Sequence, residues 1–237
     1  MVTINLVSGP RNISTALMYA FAQRTDTCVL DEPFYAVYLV KSGANHPGRD
    51  QVLKSLPQTE ADVRAVISAR KNMPVLFVKN MSHHMEVLHN PWVAGAVNVF
   101  LIRNPAQIIS SYSEVIHAPV MRDIGIEYQY ELFTSLIEQG EQPIVLDTGL
   151  LLEDPPGVLQ RLCNACDIIF QQRMLHWPEG PKPYDGVWAT HWYSNVHQST
   201  GFKKQVTSNR PLPTHLIALY ERAKVFYEKL LPFSLKA

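Results

Sequence analysis

The feature that most constrains the fold is an alternation. Short apolar runs recur along the chain, and longer amphipathic runs separate them. Ile4 to Val7 reads as a buried strand. Ser14 to Arg24 follows, with Ala16, Leu17, Ala20 and Phe21 at helical spacing. Further strands are predicted at Cys28 to Leu30, Pro74 to Lys79, Ala96 to Ile102 and Pro143 to Leu146, and helices at 59–71, 105–117 and 126–139. Strands that alternate with helices predict an α/β fold in three layers, α/β/α, around a central, mostly parallel five-stranded sheet. Ligands of such sheets bind outside the carboxyl ends of the strands. A last helix is predicted at about 213–230, and 41–58 and 176–211 read as irregular. With 237 residues and no interdomain linker, the whole chain, 1–237, is expected to form one domain.

Composition excludes several classes of partner. Lys plus Arg and Asp plus Glu number 21 each, so no nucleic acid or anionic membrane is expected, and any anion site must be local. No run approaches the roughly 18 apolar residues of a membrane span. The start, Met-Val-Thr-Ile-Asn-Leu-Val-Ser-Gly, has neither a basic region nor a long apolar core, which predicts a cytoplasmic protein without a signal peptide. Cys28, Cys163 and Cys166 form no disulfide framework. Cys163 and Cys166 share a helix face and are expected to be buried thiols, since no second pair completes a metal site.

Two segments carry chemistry. In Ser8-Gly9-Pro10-Arg11-Asn12-Ile13-Ser14-Thr15, an apolar strand runs through a polar turn into a helix. Such a junction offers free backbone N–H groups and the positive helix end to an anion. Arg11 adds a charged fork, and Asn12, Ser14 and Thr15 add donors. A plain capped helix is the other reading. The triphosphatase motif is absent, because Ser14 and Thr15 stand where it needs glycine and lysine. In the second segment, Arg103 ends a strand and Asn104 is placed to cap a helix that Pro105 opens. Arg103 and Ser111 could hold one phosphate between them, or the arginine could be incidental.

Together the two segments resemble the sulfotransferases that use 3′-phosphoadenosine 5′-phosphosulfate (PAPS). Pro10-Arg11-Asn12-Ile13-Ser14-Thr15 stands in place of their P-[KR]-S-G-T-T motif, and Arg103, Pro105 and Ser111 match R-x-P-x-x-x-x-x-S at full spacing. Asp31-Glu32-Pro33-Phe34 looks like the E-P-F after strand 2, and Val78-Lys79 sits where the family carries a lysine. Leu150 to Trp177 is similar to a bacterial and plant subgroup. Asn12 and Ile13 depart from the motif, and Ile13 is expected to narrow the loop where glycine lets a phosphate approach the backbone.

The resemblance implies a transferase, on a fold of the P-loop type. Residues 10–15 would bind the 5′ phosphosulfate, and Arg103 and Ser111 the 3′ phosphate. Lys203 and Lys204 would close over the latter, and 3′,5′-adenosine bisphosphate would be the product. Such transfer requires no metal. It needs a stabilised leaving oxygen, donors around the transferring group and a base. Arg11 could serve the first and Lys79 the second. Glu32, His83 and His84 are the candidate bases. Trp188, His191, Trp192, Tyr193, His197 and Phe202 read as a substrate wall or packed loop in preference to a metal site. The acceptor is expected to be a small molecule or carbohydrate with a hydroxyl group, selected by the loops at 35–58 and 176–205. The sequence carries no signal for an oligomeric state. A P-loop kinase or hydrolase, and a non-catalytic nucleotide-binding protein, are the competing readings.

Overall fold

The structure, a computed structural model, describes residues 1–70, 73–91, 95–114, 116–203 and 212–236. Five strands form one sheet: β1 (Val2–Ser8), β2 (Thr27–Asp31), β3 (Val75–Met81), β4 (Val97–Ile102) and β5 (Ile144–Asp147). Every pairing is parallel, in the order β2-β3-β1-β4-β5. The sheet is therefore wholly parallel where the sequence reading had it mostly so.

Side chains alternate across the strands and bury on both faces, which is why the strands read as continuous apolar runs. On β3, Val75 and Phe77 face one core, and Leu76 and Val78 the other. The first core is covered by α1 (Ser14–Ala22), with Leu17, Met18 and Phe21. The second is covered by helices later in the chain, named below as they are placed.

Beyond β2 come α2 (Tyr35–Ser42), α3 (Arg49–Ser55) and α4 (Glu60–Ala69). The loop expected at 41–58 thus contains a helix. Its apolar content is thin, since Val52 alone is buried, and that hid its period. α4 begins where Thr59 accepts from Asp62 N–H, and it buries Val63 and Ile67. After β3 comes one helical turn, α5 (Ser82–Met85). α6 runs Pro105–Tyr112, shorter than expected; Asn104 caps it by accepting from Ala106 N–H at 3.0 Å. Then follow α7 (Met121–Ile124), α8 (Ile126–Glu138), α9 (Thr148–Glu153) and α10 (Pro155–Ala165). Two single turns, α11 (Ala189–Trp192) and α12 (Ser194–His197), interrupt the otherwise irregular late segment, and α13 spans Ile217–Leu230. Helices α4, α6, α8 and α13 cover the second core, and α10 joins α1 on the first.

Cys163 and Cys166 are buried free thiols. Burial pushes them up to about 11 and about 12, so both stay protonated and inert at neutral pH. No helix among the described residues is long and apolar enough to cross a membrane.

Strand register sets the site. Ser8 pairs with Met81 and Leu101, Asp31 with Lys79, and Ile102 with Asp147. All five carboxyl ends therefore open on one edge. β3 lies between β1 and β2, and this puts Lys79 between the turns that follow them.

Candidate active site

A cavity of about 620 Å³ opens along that edge. Its wall includes residues 10–16, Glu32, Lys79, His83, His84, Arg103, Ser111 and Lys203. Every site residue expected from the sequence is thus brought to one cavity except Lys204, which lies outside the described residues.

One end is built by the β1–α1 turn and the start of α6. Arg11 Nε donates to Ser111 Oγ at 2.9 Å, and Arg103 Nη1 donates to the Arg11 carbonyl at 2.8 Å. Arg103 Nε donates to Gln107 Oε1 at 2.9 Å. Two guanidinium groups from distant segments therefore meet. Burial and then the neighbouring Arg11 lower Arg103 from its ordinary value. The N-terminus of α1 adds its own positive potential.

The turn is fixed from beneath. Asn12 is buried, with Nδ2 donating to the Leu101 carbonyl at 2.6 Å and Oδ1 accepting from Thr148 Oγ1 at 2.5 Å. These two bonds tie its amide to the scaffold, where the sequence reading offered it only as a donor to the anion. Gly9 is required by packing: a Cβ there would lie 2.3 Å from the Ile124 carbonyl oxygen. Arg11 (φ 56°), Ile13 (φ 49°) and Glu32 (φ 43°) all take left-handed backbone, and all three line the cavity. For a β-branched residue such as Ile13 this conformation is strained. Strain of this kind collects at functional sites.

At the other end the charges close on one another. Lys79 is 1% exposed. Its Nζ donates to Asp31 Oδ1 at 2.9 Å, Glu32 Oε1 at 2.5 Å and the Tyr193 hydroxyl at 2.7 Å. An ammonium has three protons, and all are committed. Lys79 is therefore not placed to approach a transferring group, which corrects the expectation from sequence. Tyr193 in turn donates to Asp31 at 2.8 Å and accepts from Trp188 Nε1 at 3.1 Å. Gly186 N–H also reaches Asp31 Oδ2 at 3.1 Å. The charge cluster thereby pins the late irregular segment over the sheet edge.

Burial acts to lower Lys79, but Asp31 and Glu32 outweigh it and hold the ammonium above its ordinary value. Burial raises Glu32; Lys79 opposes this and Asp31 reinforces it. Two carboxyl groups share one cation here, and Glu32 is the member nearer the cavity histidines. Its Oε2 lies 3.7 Å from His84 Nδ1.

His84 is buried and His83 half-buried in the cavity wall. Burial, then His46, lowers His83 to about 3, and burial and His83 lower His84 well below its usual range. Both are neutral at pH 7, and neither Nδ1 has a hydrogen-bond partner. Tyr35 stacks on His84, with centroids 4.3 Å apart and planes at 18°.

The expected wall of late aromatics is partly present. Trp192, Tyr193 and Phe202 line the cavity, whereas Trp188 is buried behind it. His197 Nε2 lies 3.0 Å from Asp185, which also accepts from the Tyr19 hydroxyl at 2.8 Å. Among the described residues no group of three or more His, Cys, Asp or Glu could hold a metal. Sequence reasoning missed Tyr35, His46 and Tyr112. Tyr35 follows the Pro33-Phe34 turn directly, and that was its only signal.

Comparison with known proteins fits this geometry. The chain is 38% identical over 225 residues to branched-chain-amino-acid aminotransferase-like protein 1 of Arabidopsis thaliana, covering 94% of this chain and 40% of that protein. It is 34% identical over 232 residues to the corresponding protein 2 of the same plant, covering 97% and 41%. The chain thus spans about two fifths of the length of these relatives. Its fold is shared with the sulfotransferase domain from the curacin biosynthetic pathway (TM-score 0.64, 14% identity, 100% of this chain and 99% of that one). It is shared too with a sulfotransferase from Alicyclobacillus acidocaldarius (TM-score 0.59, 11% identity, 99% and 98%). The sulfotransferase domain of the Synechococcus PCC 7002 olefin synthase also has it (TM-score 0.55, 17% identity, 93% and 94%). The sequence pattern of the sulfotransferase domain matches residues 2–231, nearly the whole chain, and the protein belongs to that family.

Proposed function

We propose that the protein transfers a sulfuryl group from PAPS to a hydroxyl of a small molecule. One observation carries this reading: Arg11 and Arg103 converge with Ser111 at the mouth of the β1–α1 turn. Two half-buried like charges beside a helix N-terminus favour a multiply charged anion over any neutral ligand. In this reading the backbone of residues 12–15 holds the phosphosulfate, with Arg11 at its leaving oxygen. Arg103, Ser111 and Lys203 hold the 3′ phosphate. When bound, PAPS supplies the activated sulfuryl group. Glu32 accepts the acceptor's proton, a role suited to a carboxylate whose basicity burial has raised.

The aminotransferase-like names of the relatives are assigned, in this reading, to the parts of those proteins outside the matched two fifths.

Calorimetry with 3′,5′-adenosine bisphosphate, ADP and ATP, paired with a PAPS turnover assay, tests the assignment. The bisphosphate is expected to bind most tightly; preference for ATP with magnesium-dependent turnover would make the protein a nucleotide hydrolase or kinase. Glu32→Gln is expected to lower kcat roughly 100-fold while nucleotide affinity stays near wild type. A fall in affinity with kcat intact would make Glu32 a structural partner of Lys79 alone.

A further inference from the structure

The β1–α1 turn holds a conformation that needs support from outside itself. Arg11 and Ile13 both take left-handed backbone, and Asn12 between them does not. Backbone of this kind persists only where its surroundings hold it. Arg103 holds the Arg11 carbonyl, and Ile13 packs against the core beneath α1. The middle residue is held by its side chain. Asn12 Nδ2 donates to the Leu101 carbonyl near the end of β4, so the atom left facing Thr148 is an acceptor, and the Thr148 hydroxyl must donate to it. Thr148 opens α9 directly after β5, where Asp147 caps the helix and accepts from the Tyr227 hydroxyl at 3.0 Å. The carboxyl ends of β4 and β5 thus close on one amide of the β1 turn. Gln129 of α8 adds a second tie. Its amide fits its neighbours in one orientation, donating to the Leu101 carbonyl at 3.0 Å and accepting from Gly9 N–H at 3.2 Å.

We propose that Thr148 is a positioning residue for the anion site: by fixing Asn12 it sets where the N–H groups of the turn point, without itself meeting the ligand. This rests on the donor reading above, in which residues 12–15 hold the 5′ phosphosulfate. Thr148 is 1% exposed and does not line the cavity, so its influence passes through Asn12. The pair also accounts for the departure from the related motif at position 12. A serine there is too short to reach Leu101 and Thr148 together, whereas an asparagine spans them. An asparagine in turn requires a hydroxyl at 148, because without it a buried amide oxygen has no partner. The effect belongs to the 5′ end of the nucleotide, since Arg103, Ser111 and Lys203 hold the 3′ phosphate in the same reading.

The test is calorimetry on the full chain with two ligands: 3′,5′-adenosine bisphosphate, and adenosine 3′-monophosphate, which lacks the 5′ phosphate. Thr148→Val keeps the shape and removes the donor. It is expected to weaken the bisphosphate by about tenfold and the monophosphate by less than about twofold. Thr148→Ser, which restores the donor, is expected to bind the bisphosphate within about threefold of wild type. Equal losses for both ligands would make Thr148 general support for the fold, and unchanged bisphosphate affinity would remove it from the site. Either result overturns the proposal while the donor reading stands. Should Thr148→Val fail to fold, the Asn12→Ser background carries the comparison, since it leaves no amide oxygen without a partner. There, adding Thr148→Val is expected to move bisphosphate affinity by less than about twofold, and a loss of about tenfold would show that Thr148 acts by another route. If wild type binds no bisphosphate, the donor reading fails and the assignment of Thr148 with it.

Discussion

The two ends of one cavity handle charge in opposite ways. At the donor end Arg11 and Arg103 face the same space, Arg11 bonded to Ser111, and Arg103 to Gln107 and the Arg11 carbonyl. At the acceptor end Lys79 is buried, and Asp31, Glu32 and Tyr193 take all its protons. Like charges gathered on one cavity wall suit an anionic ligand. Charge closed by opposite charge belongs to the scaffold. The difference separates two kinds of basic residue that a motif alone treats alike.

The sharpest way to break this comparison is to remove one cation from each end. Lys79→Met should be the most damaging change, because it leaves two buried carboxyl groups without their cation. Breaking a buried pair from one side costs about 3–5 kcal/mol. The measurement is urea unfolding, with the midpoint expected far below wild type. A Lys79→Met variant as stable as wild type would mean the cluster is not a closed unit.

Arg103→Ala should do the reverse. Arg103 is crowded by Arg11, and relief of that repulsion offsets part of what its bonds to Gln107 and the Arg11 carbonyl contribute, so the midpoint should move far less than for Lys79→Met. Affinity for 3′,5′-adenosine bisphosphate should fall by about 1.5–3 kcal/mol, roughly 10- to 150-fold. Equal affinity for wild type and variant would remove Arg103 from the nucleotide site.

These contrasts also mark what could be read from the sequence. The strands were legible because a parallel sheet buried on both faces leaves unbroken apolar runs. The two arginine-bearing segments were legible because each places its arginine within a few residues of a strand end. α3 was not, since a single buried valine gives no period. The fate of Lys79 was not legible either. Its partners come from two places: the Asp31–Lys79 strand register and Tyr193, over 100 residues later. The scaffold bonds of Asn12 were hidden for a similar reason, as Leu101 and Thr148 come from other elements. Local spacing tells which residues reach an edge. It does not tell which of them arrive already satisfied.

The acceptor end should also show in the pH profile of stability, with a smaller effect. His83 drops from 6.5 in its ordinary state to about 3 when folded. Between these values the unfolded chain binds more protons than the folded one. The contribution is therefore present above pH 6.5 and is lost as pH falls toward about 3. Glu32 is raised, so its contribution has the opposite sense: it is present at low pH and lost as pH rises through its folded value. His83→Phe should thus flatten the acid limb of the unfolding midpoint against pH, and Glu32→Gln should not. An acid limb unchanged by His83→Phe would show that the His83 ring is not held neutral by burial.

The smallest expected effect tests the donor end from within its loop. Ile13 stands where the related motif has glycine, and it takes a left-handed backbone, φ 49°. That conformation costs an L-residue about 1–2 kcal/mol. Ile13→Gly removes this strain. It also frees the unfolded chain, at about 0.4–1 kcal/mol, and gives up the packing of Ile13 on the core beneath α1. Burying such a side chain completely is worth about 1.5–3 kcal/mol, and Ile13 is only half-buried. Gains and losses nearly cancel, so the unfolding free energy should move by less than about 1 kcal/mol. Binding should respond differently. Without a side chain at position 13, an anion can come closer to the N–H groups that open α1, and bisphosphate affinity should tighten, by less than about tenfold. Tighter binding at unchanged stability would mean that Ile13 narrows the mouth of the anion site. Weaker binding would mean that its side chain is part of the nucleotide's seat, and the donor end would then combine charge with an apolar contact where the present comparison assigns it charge alone.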